Sequence, residues 1–189
     1  MRKHFADLSE TIPPRDKSAP PPNEYGELIQ RLFQGPSAVA IVGIGLEKGV
    51  VGVCEGIAKE LAAAGKRVVI VPVDSLLRSE TSLISTLARN VWRWPSPLGR
   101  PLEFFNSSEL EQPDSENWLD VLRRNFDSVL LDCPAVDMMF GVTEVAAMAD
   151  AAVLVVQSGQ TSKNQVQDDQ RALQLRGARL AGCILLQER

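Results

Sequence analysis

Three short segments of this chain have residue types and spacing that suit work on anions and metals. The first is Gly43-Ile44-Gly45-Leu46-Glu47-Lys48-Gly49-Val50-Val51. Its glycines permit close backbone approach, and a predicted helix begins where it ends, which is the geometry of an anion cradle. The second is Pro72-Val73-Asp74 and the third is Asp132-Cys133-Pro134. Both place a carboxylate just past an apolar run. Beside a phosphate loop, that is the usual position of an acid that orients magnesium. Asp74 and Asp132 also have a plainer reading, in which each receives the N–H groups of the following turn.

Positioning these segments requires strands that end where they begin. Ala38–Gly43, Val68–Val71, Ser128–Asp132 and Ala152–Val156 are continuous apolar runs rich in β-branched residues. Such runs suit strands of a parallel sheet buried on both faces. Between them, Val50 to Ala64 carries Val50, Val53, Cys54, Ile57 and Leu61 as one helical stripe, closed by Gly65. Glu24 to Phe33, Val142 to Ala149 and Gln165 to Leu175 read as further helices, and Leu180 to Leu186 as a last strand. Leu83 to Trp94 also reads as helical. The alternation predicts an α/β fold: a doubly wound, mainly parallel sheet with helices on both faces. In such a sheet, ligands bind outside the carboxyl ends of the strands.

Residues 1–23 contain Pro13-Pro14 and Pro20-Pro21-Pro22 among polar residues. They bury too little apolar surface to offset ordering entropy, so a flexible Pro-rich arm is expected there. Residues 24–189 form a single domain. The whole chain has 189 residues, 44% apolar and 23% charged, with a net charge of −4. This balance disfavours duplex DNA and anionic membranes as partners of the whole surface. No apolar run is long enough to cross a membrane. The opening Met1-Arg2-Lys3-His4 leads into polar residues, so no secretory signal is expected. His4 is the single histidine, which leaves little room for His-based catalysis or His-rich metal sites. Cys54, Cys133 and Cys183 each sit in an apolar run and read as small buried hydrophobes, which fits a reducing cytoplasm.

Four segments together carry a resemblance. They are Ala62–Ile70, Phe126–Pro134, Ala149–Val156 and Gly177–Leu185. In order and spacing the chain resembles the MinD/ParA-type P-loop ATPases, and within them the cytoplasmic domain of bacterial tyrosine kinases (BY-kinases) of polysaccharide biosynthesis. The resemblance implies a P-loop NTPase-like fold, ATP with magnesium as ligands, and a membrane polysaccharide co-polymerase as partner. It also implies that Gly45, Lys48, Gly49, Val50 and Val51 form the phosphate loop, with Asp74 and Asp132 as the metal-ordering or catalytic acids.

Several positions depart from that pattern. Where the family has Gly-Lys-Ser/Thr, this chain has Gly49-Val50-Val51. A lysine there balances β/γ-phosphate charge and a hydroxyl ligates magnesium; valine does neither, and its isopropyl group would desolvate anionic oxygens without compensation. Asp-x-Asp is reduced to Pro72-Val73-Asp74, while Asp132-x-Pro134 is intact. Gln187 replaces the Asn that often follows the last strand. Tyr25 is the single tyrosine, so the kinases' Tyr-rich tail has no counterpart. Glu24, Glu27 and Gln30 stand where the family's ring-assembly motif has Glu-x-x-Arg-x-x-Arg.

Arg89, Trp92, Arg93 and Trp94 mix basic and aromatic residues. This pattern suits a partner surface, packing over the sheet edge, or, less well given the acidic total, nucleic acid. The sequence therefore predicts a non-catalytic, kinase-like regulatory protein in exopolysaccharide or capsule assembly. It would be cytoplasmic, peripheral to the inner membrane through its partner, without a bound cofactor, and with a homodimer as one arrangement. The alternative is an active MinD/ParA-like ATPase or BY-type tyrosine kinase. In it Asp74 and Asp132 order magnesium, and Lys48 or a lysine of a second subunit holds the phosphates.

Overall fold

The apolar runs form strands that pair with partners distant in sequence. The computed structural model describes residues 25–34, 37–46, 50–77, 85–94 and 118–187. The arm expected at residues 1–23 lies outside them. In chain order the elements are α1 (Gly26–Leu32), β1 (Ser37–Gly43), α2 (Val51–Ala63), β2 (Val68–Pro72) and α3 (Val73–Leu77), then β3 (Ser85–Ala88) and β4 (Val91–Arg93). There follow α4 (Trp118–Asn125), β5 (Ser128–Cys133), α5 (Val142–Met148), β6 (Ala151–Gln157), α6 (Lys163–Leu175) and β7 (Leu180–Leu186).

The seven strands make one sheet in the order β3-β4-β2-β5-β1-β6-β7. Every neighbouring pair is parallel except β3–β4. β1, β2 and β5 are buried along their whole length, as expected of central strands covered on both faces. One apolar cluster lies under α3, α4 and α5, with Leu131, Cys133, Trp118 and Leu122 among its members. The other lies under α1 and α2 and includes Val50, Ile57, Leu61 and Ile70. The doubly wound reading of the sequence is therefore correct.

The chain leaves β1 toward β2 on one side, and β5 leads to β6 on the other. The winding direction thus reverses at the carboxyl ends of β1 and β5. That reversal opens the crevice in which α/β folds place their ligands.

Two readings of the sequence need correction. Leu83 to Trp94 does not form a helix; its described residues make the β3–β4 hairpin. The reversal falls at Arg89-Asn90, where Asn90 adopts φ 61°. Asparagine tolerates this left-handed conformation, and Val68 binds the Asn90 carbonyl to start the β2–β4 ladder. Cys183 is not buried: β7 is the outer strand, and its thiol is exposed. The helix α4 was not anticipated. It buries Trp118, Leu119, Val121 and Leu122.

Candidate functional site

The site is built from the carboxyl ends of three adjacent strands. Pro72 at the end of β2 stands in register with Asp132 of β5, and Asp132 with Ile41 of β1. Asp74 follows in the first turn of α3 and is half-buried. The sheet thus brings Asp74 and Asp132 together across one strand pair. Of the loop residues singled out in the sequence, Lys48 and Gly49 lie outside the described residues. Gly45, Val50 and Val51 are described.

Gly45 sits at φ 63°, and a Cβ there would lie 2.7 Å from Nε2 of Gln165. The left-handed φ favours glycine here, and a Cβ would displace the end of the Gln165 side chain. Gln165 is in the first turn of α6, and no signal in the sequence links it to this loop. The loop is tied further by the Ile44 N–H to the Val155 carbonyl (2.9 Å) and by the Thr161 hydroxyl to the Ile44 carbonyl (3.1 Å).

Val50 caps α2 and is buried at 3% exposure, packed in the apolar cluster under α1 and α2. Gly43 is close beneath: a Cβ there would meet Leu46 Cβ and Val50 Cγ1, each at 3.4 Å. Leu46 and Val50 thus form an apolar floor at the base of the loop. Val51 is half-buried and is the first residue of α2.

Asp132 is 5% exposed, and its Oδ1 accepts no hydrogen bond within the protein. Burial pushes its carboxyl up to about 6, with Asp74 and Glu55 adding to the effect. Arg93 and a hydrogen bond from the Val50 N–H act in the opposite direction. Arg93 in turn pairs with Glu55 of α2 at 3.6 Å. Glu55 therefore takes part in the electrostatics of the strand end. Cys133, next in the strand, is fully buried and its thiol is pushed up by burial, which makes it inert.

Mg-ATP is the ligand pair that the resemblance implies. An orphaned, buried carboxylate oxygen at Asp132 suits a cation. The described loop residues do not suit the polyphosphate: Val50 and Val51 present isopropyl groups, without an ammonium or hydroxyl. Among the described residues no cluster of three or more His, Cys, Asp or Glu is arranged to hold a metal. On these residues the site does not fit a magnesium-bound triphosphate.

Of the segment expected as a partner surface, Trp94 is buried, and Trp92 and Arg93 are half-buried. Trp94 is fully buried, its ring 5.9 Å from that of Trp118, and Trp92 packs on Phe126 at 5.5 Å. Arg93 faces α2. Arg89 remains outward, where with Lys59, Gly65 and Asn90 it lines a cavity of about 490 Å³ at the opposite end of the sheet from Asp132.

Sheet order and the reversal at β1/β5 make a doubly wound, mainly parallel α/β fold. More narrowly, it is the fold of bacterial tyrosine kinase domains. The kinase domain of Escherichia coli tyrosine kinase ETK superimposes with a TM-score of 0.64, 17% identity, and coverage of 86% of this chain and 72% of that one. The BceF tyrosine kinase domain gives 0.59, 23% identity, and 79% and 68% coverage. The chimerical protein CapA2B2 gives 0.64, 22% identity, and 85% and 80% coverage. In sequence, the tyrosine-protein kinase CpsD of Streptococcus pneumoniae serotype 4 is 24% identical over 76 residues. That match spans 40% of this chain and 34% of CpsD. No protein-family model matches the chain. The resemblance to kinase domains expected from the four motifs is matched by these structures. Among the described residues, no helix is long and apolar enough to cross a membrane.

Proposed function

We propose that this chain is a non-catalytic, kinase-like regulatory protein that keeps the architecture of a phosphate loop without its chemistry. The observation that carries this reading is Val50. It stands where the resemblance requires the phosphate-binding lysine, and its side chain is buried in the core over Gly43. Val51 replaces the metal-binding hydroxyl beside it. Losing one charge-assisted contact costs on the order of 1.5–3 kcal/mol, and here the metal ligand is lost with it. The implied setting is exopolysaccharide or capsule assembly. The protein would work in the cytoplasm, at the inner membrane through a polysaccharide co-polymerase. Isothermal titration with Mg-ATP tests the reading. Silence to millimolar concentration is expected, and micromolar binding overturns it.

A second reading is favoured by one feature, the unpartnered Oδ1 of Asp132. In that reading the protein is an active ATPase or tyrosine kinase. Asp74 and Asp132 would hold magnesium, with the phosphates carried by Lys48 or by a lysine from another subunit. The double substitution Val50→Lys with Val51→Ser separates the two. If those side chains alone silence the loop, nucleotide affinity appears in the variant and is absent from the parent.

A further inference from the structure

β7 is the outer strand of the sheet beside β6, and its free edge lacks most of the features that keep edges apart. Leu180–Leu186 contains no charged residue and no proline. Its ladder with β6 is irregular at Ala181, and from Gly182 to Leu186 the pairing is regular. Ala181, Gly182, Cys183 and Leu185 are exposed, Leu185 at 57%. The Leu186 carbonyl accepts the Ser158 N–H on the β6 side. Strand alternation therefore turns the N–H and C=O of Leu185 and Cys183 outward, toward nothing in the described structure.

We propose that β7 pairs antiparallel with β7 of a second copy of this chain, about a two-fold axis at Cys183. In this register Cys183 faces its own counterpart in a hydrogen-bonded pair, so that outward N–H and C=O groups meet on both strands. Ala181 then faces Leu185, and Gly182 faces Ile184. Each small residue opposes a large one, on both sides of the axis. No charge opposes a like charge along the strand. The strand is thus complementary in size to itself, as a two-fold interface requires of its patch. The result is one sheet running through both copies. The contact is one strand wide, well below a standard interface, so association in the micromolar range is expected.

The chain's own thiols provide the test. Cys54 and Cys133 are fully buried, and Cys183 is exposed. A short bis-maleimide applied to the full chain therefore reads β7. A cross-linked dimer is expected, with a concentration-dependent monomer–dimer equilibrium in sedimentation. Cys183→Ser abolishes the cross-link and leaves the dimer mass unchanged. Cys183→Lys sets two ammonium groups directly opposite and weakens association by about tenfold or more. Leu185→Lys gives the same direction from a second outward position. Three results overturn the proposal. One is a chain that stays monomeric to about 1 mM. Another is a dimer whose dissociation constant is the same in Cys183→Lys. The third is strong amide-exchange protection of Cys183 and Leu185 in the monomer, which means that another segment of the same chain covers the edge.

Discussion

Replacing Asp132 with asparagine isolates the electrostatic cost of the candidate site. The carboxyl is buried at the end of β5, and its proton is held up to a pH of about 6, against 3.8 for the free group. Below about pH 4 it is protonated in both folded and unfolded chains and carries no penalty. As pH rises from about 4 to 6, the unfolded chain loses the proton and the folded one resists, so stability falls. Above the folded value the loss is complete. Each tenfold in proton affinity is worth about 1.4 kcal/mol, which makes the full loss about 3 kcal/mol. Asparagine cannot ionise and keeps an acceptor for the Val50 N–H. It brings a fixed cost, since its amide is a buried donor worth about 1–3 kcal/mol when unpaired. That cost does not vary with pH. The expected signature is therefore a change in the difference between the two proteins. Asp132→Asn gains about 3 kcal/mol relative to the parent between pH 4 and pH 8. Urea unfolding followed by tryptophan fluorescence measures it at each pH. A difference that moves by less than about 1 kcal/mol, or in the opposite direction, refutes the burial argument.

Further outcomes follow from packing and charge. Trp94→Ala removes a fully buried ring stacked near Trp118 and should cost about 3–5 kcal/mol in urea unfolding. Loss of less than 1 kcal/mol would mean that the segment is not seated under the sheet. Gly56→Ala places a Cβ 2.6 Å from Cε2 of Tyr25. The clash should release α1, read as faster proteolysis within Gly26–Leu32 while the rest of the domain stays resistant. Asp169→Asn should show the same direction of pH effect as Asp132→Asn, because burial and the neighbouring Asp137 and Asp168 push that carboxyl to about 6. Its measurement is the same unfolding series. Arg67→Ala should change stability by under about 1 kcal/mol at moderate salt, since its pair with Asp127 is exposed at 53% and 39%.

The strands were legible because burial on both faces leaves an uninterrupted apolar run. Val68–Pro72 and Ser128–Cys133 carry that signal undiluted. The helix Val51–Ala63 was legible from its stripe. The β3–β4 hairpin was not. Its strands are four and three residues long, too short to display a period of two, and its turn is marked only by Asn90. The helix at Trp118–Asn125 is eight residues long and follows a proline-rich stretch, so its apolar positions Trp118, Leu119, Val121 and Leu122 span too few turns to display a helical period. Asp74, Asp132 and Gly45 could be singled out in the sequence because each adjoins a strand end. Gln165, Glu55 and Arg93 were not tied to the site, since they reach it by contacts that no local pattern encodes. The exposure of Cys183 depends on strand order, which sequence pattern leaves open.

The placement of β5 between β1 and β2 has a consequence for how the chain is made. Among the described residues, the first two strands, β1 and β2, are not neighbours in the sheet; the strand that joins them begins at Ser128, 91 positions after its β1 partner Ser37. A growing chain that has completed the first β-α-β unit therefore holds two greasy ribbons with bare sides while the ribosome works through some sixty further codons, roughly several seconds at ordinary rates. During that interval the uncovered edges of both ribbons are open to wrong partners.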